Sequence, residues 1–403
     1  MATMIEQVEE LQGLYGPFTM AERVVQKIWL RGDFAQRGAR LTDGRTLEIR
    51  STGAWNLLGG PDFRGARLVI DGRESVGDIE VHFHATDWRA HGHAADRAYD
   101  QVVLHVVMFP LAAGETPAVG SDGRELPTLV LLPLLHRDLE EYASDDALEI
   151  ITARDEWEQF AELAATPLRE LQQILFAQAL GRWRQKVRFA KLRIEKLGWT
   201  AAAHHTALEI LGYRQNRSAM LLVAAKYPLE TWSADVETQL VFEMERGFWQ
   251  LQGVRPANHP LTRLRQYHRW VSARPDWPER LPLMTGPALE GRGEITTATS
   301  QVRKTAGLKN LRENLARDLT GGALNGTRLD NLVCDGFLPL VAAQTGKELF
   351  AVWYHWFLGD VPLLVRKALP KLGLAGTRAQ PLCHGRAQGL LGWILAREVR
   401  ASR

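Results

Sequence analysis

Pro61-Asp62-Phe63, Ala66-Arg67-Leu68-Val69-Ile70, Asp71-Gly72 and Gly77-Asp78-Ile79-Glu80-Val81-His82-Phe83-His84 follow one another within Gly60–Val107, and they decide how the chain reads. Two strand-like runs flank a turn centred on Gly72, and Asp-Gly between apolar runs is a strong hairpin signal. The second run alternates, with Glu80, His82 and His84 on one face and Ile79, Val81 and Phe83 on the other. Asp87-Trp88, His91, His93 and Asp96 come next. The continuous apolar run Val102–Met108 then reads as a buried central strand. Five of the twelve histidines lie between His82 and His105, a density found nowhere else in the chain.

Outward from this stretch, Glu6–Leu14 and Met20–Leu30 have helical periodicity, with Thr19 as an N-cap and Glu22 three residues on. Asp43-Gly44 and Ser121-Asp122-Gly123 mark further hairpin turns, the latter leading to a strand at Thr128–Leu132. After Pro133 the character changes. Asp138–Glu162 is acidic and helix-like, Pro167–Lys196 is a long helix, and helices continue to about Trp270 and again over Leu308–Arg400. Gly291–Ala306 reads as a polar loop. The fold class expected is α+β: a mixed α/β domain over residues 1–150, then a mainly helical region over 151–403. Proline-rich punctuation suggests a further division of the second near 272–306.

The 403 residues, 45% hydrophobic and 24% charged, have the composition of an ordinary globular protein, and a net charge of +2 argues for no partner on its own. Cys334 and Cys383 form no Cys-x-x-Cys pair, which excludes a cysteine zinc site and fits a reducing, cytoplasmic location. The N-terminus lacks the features of a signal peptide, and no uninterrupted apolar run of ~20 residues suggests a membrane span.

Three groups carry candidate chemistry. Asp62 and Glu80, on neighbouring strands, can converge on Mg²⁺ or Mn²⁺, and His82 shares the face of Glu80. That set suits metal-assisted phosphodiester hydrolysis, with the carboxylates holding the metal and His82 acting as base or phosphate-orienting group. Glu22 and Glu48 are further carboxylates within sequence reach. The plainer alternative makes Asp62 a turn residue and Glu80 half of a structural ion pair. The second group is His82, His84, His91 and His93 with Asp96, a donor set for zinc or another transition metal. His105, within an apolar strand, reads as a satisfied core histidine. The third is the basic helix Gly181–Leu197, whose cations split into Arg182/Lys186/Arg193/Lys196 and Arg184/Arg188/Lys191. The second set can contact a phosphate backbone. The alternative is a solvated helix paired with the acidic segment Asp138–Glu162.

Pro61-Asp62 followed by Glu80-Val81-His82 resembles the Pro-Asp…(Asp/Glu)-x-Lys signature of the PD-(D/E)XK restriction-endonuclease-like nuclease superfamily, with His82 in place of the lysine. That resemblance implies a metal-dependent nuclease domain. The larger pattern, from Gly60-Pro61-Asp62-Phe63 through His91-x-His93 and Leu104-His105-Val106-Val107 to Arg255-Pro256-x-Asn258, resembles an uncharacterised bacterial family, domain of unknown function 2851. That family brings no assigned activity. The functions expected are therefore a nuclease acting on nucleic acid, a transition-metal-dependent hydrolase, or a non-catalytic helical scaffold that binds a protein partner.

Overall fold

The computed structural model describes residues 8–13, 16–36, 38–56, 59–112, 114–135, 139–152, 160–213, 216–233, 236–246, 249, 251, 254–284 and 297–401. By its internal packing the chain divides into two compact units, essentially Thr19–His136 and Arg137–Ala401.

The first unit is built on one mixed sheet. Its strands are β3 (Leu47–Ser51), β4 (Ala54–Trp55), β5 (Phe63–Ile70), β6 (Arg73–His82), β7 (Val102–Val107) and β8 (Thr128–Val130), preceded in the chain by the pair β1 (Val8–Gly13) and β2 (Gly16–Ala21). The sheet order is β3-β5-β6-β7-β8, with β4 pairing β5. The β5 strand is antiparallel to both β3 and β6, whereas β6, β7 and β8 run parallel. Asp71 and Gly72 close the β5–β6 hairpin at φ values of 46° and 79°, the left-handed pair that a two-residue turn needs.

Helix α1 (Glu22–Arg31) buries Val24, Val25, Ile28 and Trp29 and packs against β6. Its N-cap is Ala21, without a side-chain hydrogen bond, so Thr19 does not serve as the cap. The helix expected at Glu6–Leu14 is a strand over its described residues. Gly13, Gly16 and Pro17 are poor helix formers, which limits that helix's length.

The β6–β7 crossover spans Phe83–Gln101 and contains only α2 (Asp87–Ala90) and two 3₁₀ turns, His93–Ala95 and Arg97–Tyr99. At Gly77 the strands come so close that a Cβ would lie 2.4 Å from Val103 Cγ1 and 2.6 Å from the Gln101 carbonyl.

The second unit is helical. It opens with α3 (Leu139–Thr152), α4 (Ala161–Ala165), α5 (Leu168–Leu197) and α6 (Trp199–Leu211), and ends with the helix His384–Ala401 packed along α5. Trp232, Trp270, Trp277, Trp353 and Trp356 are fully buried here, which accounts for much of the tryptophan content. Thr299–Thr305 is a helix where the polar composition suggested loop, because Thr299 and Val302 turn inward onto the core. Both cysteines are buried free thiols. Among the described residues no helix is long and apolar enough to cross a membrane.

Candidate metal centre

Two carboxylates meet where β5 begins and β6 ends. Phe63 pairs with Ile79 in the ladder, so Asp62 stands opposite Glu80. Both are buried, at 6% and 4% exposure. The contact is reciprocal: the Asp62 backbone N–H donates to Glu80 Oε2 at 3.0 Å, and the Val81 N–H donates to Asp62 Oδ2 at 3.0 Å. Asp62 Oδ1 accepts from Gln26 Nε2 at 2.7 Å, and Trp55 Nε1 in turn donates to Gln26 Oε1 at 3.3 Å. Burial, and then the charge of Glu80, push the Asp62 carboxyl well above its usual range. Burial lifts Glu80 to about 8.

Glu80 Oε1 faces imidazoles rather than backbone. His82 Nε2 lies 3.3 Å from it and His93 Nε2 3.2 Å. His91 Nδ1 lies 3.1 Å from His82 Nε2. One ring nitrogen from each of His82, His91 and His93 falls within 4.8 Å of the others. His93 Nε2 is buried without a hydrogen-bond partner, although the Glu80 oxygen is close by.

The crossover explains how these rings converge. His82 is the last residue of β6, and its ring faces inward. The Asp87 carboxylate accepts from the His84 N–H at 2.9 Å and anchors the start of α2. Gly92, at φ 75°, then reverses the chain between His91 and His93 so that both rings point back at His82. The His93 ring lies parallel to the His82 ring at 5.3 Å, stacks on Tyr99 at 3.9 Å and meets the Trp88 edge at 5.3 Å. His91 is exposed, so this side of the cluster opens to solvent.

Behind His82, its Nδ1 meets His105 Nε2 at 2.8 Å. His105 pairs with Glu80 across the parallel ladder and is fully buried. Burial holds His82 well below the usual imidazole range, and it holds His93 at about 4 and His105 at about 3, so all three rings are neutral near pH 7. His105 is a core histidine, as the sequence suggests, but not a satisfied one: its Nε2 meets His82 and its Nδ1 lacks a hydrogen-bond partner.

Asp62, Glu80, His82, His91 and His93 thus come together, while His84 and Asp96 do not join them. β6 ends at His82, so the alternation stops before His84, whose ring stacks on Phe109 at 5.0 Å. Asp96 caps the second 3₁₀ turn by accepting from the Ala98 N–H at 2.9 Å. Glu48 forms an exposed ion pair with Arg50 at 3.1 Å.

Gln26 is a site residue the sequence does not reveal. The only signal is a polar residue between Val25 and Ile28 on a helix whose neighbours are buried. Tyr99 and Trp88 are likewise visible only once the crossover is folded.

On α5, Arg182 donates to Gln388 at 2.7 Å, Lys186 pairs with Asp335 at 2.9 Å and Arg193 pairs with Glu209 at 2.6 Å. Arg184, Arg188 and Lys191 form an exposed row at helical spacing. Lys186 and Arg193, the inward cations of α5, thus have acids at Asp335 and Glu209.

Residues 22–243, more than half of the chain, match the family model described as Protein of unknown function (DUF2851). The chain belongs to that family. The matched span contains every residue of the DUF2851 metal-centre candidate, from Gln26 on α1 to His105 on β7, and all of α5; Arg255–Asn258 lies beyond it. No curated protein and no solved structure matches the chain.

Proposed function

We propose that the first unit is a transition-metal-dependent hydrolase in which His82, His91 and His93 hold the ion and Glu80 serves the reacting water. The observation that carries this reading is donor spacing. His82 Nε2, His91 Nδ1, His93 Nε2 and Glu80 Oε1 have neighbour distances of 3.1, 3.2 and 3.3 Å. Three imidazoles are a catalytic zinc set that leaves a fourth position for water, and Glu80 Oε1 lies beside two of those nitrogens. Three neutral imidazoles with one carboxylate suit zinc or a similar ion better than Mg²⁺, which needs oxygen ligands in an octahedron.

Such an ion supplies a water of lowered pKa and a Lewis acid for the substrate. The chain's own residues do the rest. Glu80 Oε1 takes the water's proton and can return it to the leaving group. The Asp62 N–H holds the other oxygen of Glu80, fixing the direction of Oε1. His105 lies behind His82 and sets its ring orientation, the usual outer support of a metal-bound histidine.

A second reading, the nuclease, is favoured by strand order. A helix, three antiparallel strands, a short crossover and a parallel strand place Asp62 and Glu80 face to face, in the order the PD-(D/E)XK signature implies. There Mg²⁺ or Mn²⁺ would sit on Asp62 and Glu80 with His82 as base, and Arg184, Arg188 and Lys191 would contact nucleic acid.

The test is calorimetric titration of chelator-stripped protein with Zn²⁺, Mn²⁺ and Mg²⁺, paired with hydrolysis of bis(p-nitrophenyl) phosphate and of labelled DNA and RNA. Zn²⁺ should bind most tightly. His93→Ala should abolish that binding, and Glu80→Gln should keep it while lowering turnover ~10²–10⁴-fold. Binding of Mg²⁺ or Mn²⁺ that survives His93→Ala but not Asp62→Ala selects the nuclease. Binding of no divalent ion removes both and leaves a structural histidine cluster.

A further inference from the structure

The second unit contains a cavity of about 400 Å³ whose walls include Tyr213, Asn216, Arg255, Asn258 and Asp360. We propose that it binds a small phosphate ester carrying hydroxyl groups, with Arg255 and Asn258 on the phosphate and Asp360 on a hydroxyl.

The wall is rigid where the phosphate would sit. Arg255-Pro256-Ala257-Asn258-His259-Pro260 forms a tight turn closed by Asn258 N–H to the Arg255 carbonyl at 2.8 Å and His259 N–H to the Pro256 carbonyl at 3.3 Å. Pro260 then opens the helix Pro260–Ala273. Two prolines fix φ on either side of Asn258. Among the described residues the Arg255 guanidinium has no hydrogen-bond or ion-pair partner, and it is exposed.

Behind this wall lies a buried cation with no acid in direct contact; Asp360 acts on it only from a distance. Arg263 is 2% exposed. Its guanidinium donates to Gln266 Oε1 at 2.8 Å and to Asn258 Oδ1, both neutral groups, and its Nε has no hydrogen-bond partner. No described carboxylate lies within ion-pair distance of it, and burial draws its pKa down to about 10. A buried charge without a counter-charge is costly. Its positive field acts on Asn258, a residue of the cavity wall whose oxygen is already engaged and whose Nδ2 donates to no described residue. An oxyanion on that wall would bring a nearer negative charge than Asp360 provides, and charge-assisted bonds from a guanidinium are the strong kind.

The lining also holds a carboxylate fixed in place. The Asp360 N–H donates to Asn331 Oδ1 at 2.9 Å, and Asn331 Nδ2 donates to Asp360 Oδ2 at 3.2 Å. Oδ1 is left as an acceptor with no described partner. A guanidinium, amides and a carboxylate lining one cavity suit a molecule with an anionic group and hydroxyls, and the volume is within the range of small-ligand sites. Tyr213 adds a further mark. It holds a left-handed φ of 58°, a conformation rare outside glycine, beside Gly212, where a Cβ would lie 2.5 Å from the Asn216 carbonyl. Backbone held in this way clusters at ligand sites.

The experiment is calorimetric titration of the full chain, stripped of metal by a chelator, with ribose 5-phosphate, AMP, inorganic phosphate, ribose and adenosine. Stripping the metal prevents phosphate capture at the histidine cluster from entering the result. Ribose 5-phosphate or AMP should bind saturably, inorganic phosphate more weakly, and ribose and adenosine not at all. Arg255→Ala should weaken ester binding ~10–100-fold, as expected for a lost charge-assisted pair. Asp360→Asn should weaken the ester and leave inorganic phosphate unchanged. Both side chains are exposed, and unchanged thermal melting of the variants shows that they fold. Absence of saturable ester binding overturns the proposal, as does ester binding unaffected by Arg255→Ala. Equal affinity for inorganic phosphate and the esters, with no effect of Asp360→Asn, overturns the assignment to a hydroxyl-bearing ester.

Discussion

His82 Nε2 stands 3.3 Å from Glu80 Oε1, the two residues lying on the same face of one strand. The crossover brings a second imidazole, His93, to 3.2 Å from the same oxygen. A single carboxylate oxygen is therefore shared by two nitrogens that lie more than ten positions apart.

A transition metal should stabilise the fold through that cluster. At free Zn²⁺ near a hundred times Kd, mass action adds ~2.7 kcal/mol. Thermal melting of wild type should shift upward with Zn²⁺, and the shift should vanish in His82→Ala and His93→Ala. An equal shift in all three proteins would place the metal elsewhere.

Asp62→Asn should destabilise the first unit by ~1–3 kcal/mol, because an amide presents N–H groups to donors that the carboxylate accepts. Gln26 Nε2 and the Val81 N–H are those donors. Urea unfolding is the measurement. A loss no larger than that of an exposed control such as Asp122→Asn would show that the two bonds contribute nothing.

Gly77→Ala should cost ~1–3 kcal/mol or more, the usual scale for overpacking. The added methyl meets the Gln101 carbonyl and Val103, and backbone cannot yield as a flexible side chain can. The same urea assay reads it, and a neutral substitution would mean that β6 and β7 separate easily.

Stability of the helical unit should fall as pH drops below the ordinary histidine range. Burial holds His204 and His355 at about 4 and His384 at about 3. Their folded values lie below the unfolded value near 6.5, so the unfolded chain binds more protons between the two. The stability these neutral rings confer is fully present above pH 6.5 and is lost as pH falls toward 4. Each titrating ring contributes a slope of up to ~1.4 kcal/mol per pH unit. His204 hydrogen-bonds the Tyr267 hydroxyl at 2.6 Å and the Tyr227 carbonyl at 3.0 Å, so His204→Gln should flatten the slope of urea stability between pH 6.5 and 4.5 by about one proton. An unchanged slope would contradict a neutral buried ring there.

If the chain contacts nucleic acid, the exposed row on α5 should be involved. Reversing Arg184, Arg188 and Lys191 to glutamate should weaken binding to labelled DNA or RNA and flatten its dependence on salt, since fewer counterions are released. An unchanged salt slope would exclude this face.

The α+β organisation, the β5–β6 hairpin and the buried place of β7 are readable from residues because their signals are local: alternation through Ile79–Phe83, Asp71-Gly72, and an apolar run at Val102–Met108; that β6 stops at His82 and that β7 runs parallel to it are not. The approach of Glu80 to His82 follows from the two-residue period of one strand. The participation of His91 and His93 depends on the path of a crossover whose only local mark is Gly92. Gln26 and His105 arrive from elements distant in sequence, and neither carries a pattern of its own. The helix at Thr299–Thr305 escapes a polarity reading because only Thr299 and Val302 of that segment turn inward.

The segment that joins β6 to β7 also bears on the order of folding. The β5–β6 hairpin closes across two residues, so it can form early and alone. Parallel strands have no such short route, and β7 joins β6 only when the whole of Phe83–Gln101 has compacted. Two of the three clustered imidazoles travel on that segment. A cation that gathers them would act on a late, slow step of refolding and leave the early hairpin untouched, so the refolding rate of the chain would itself report when the crossover closes.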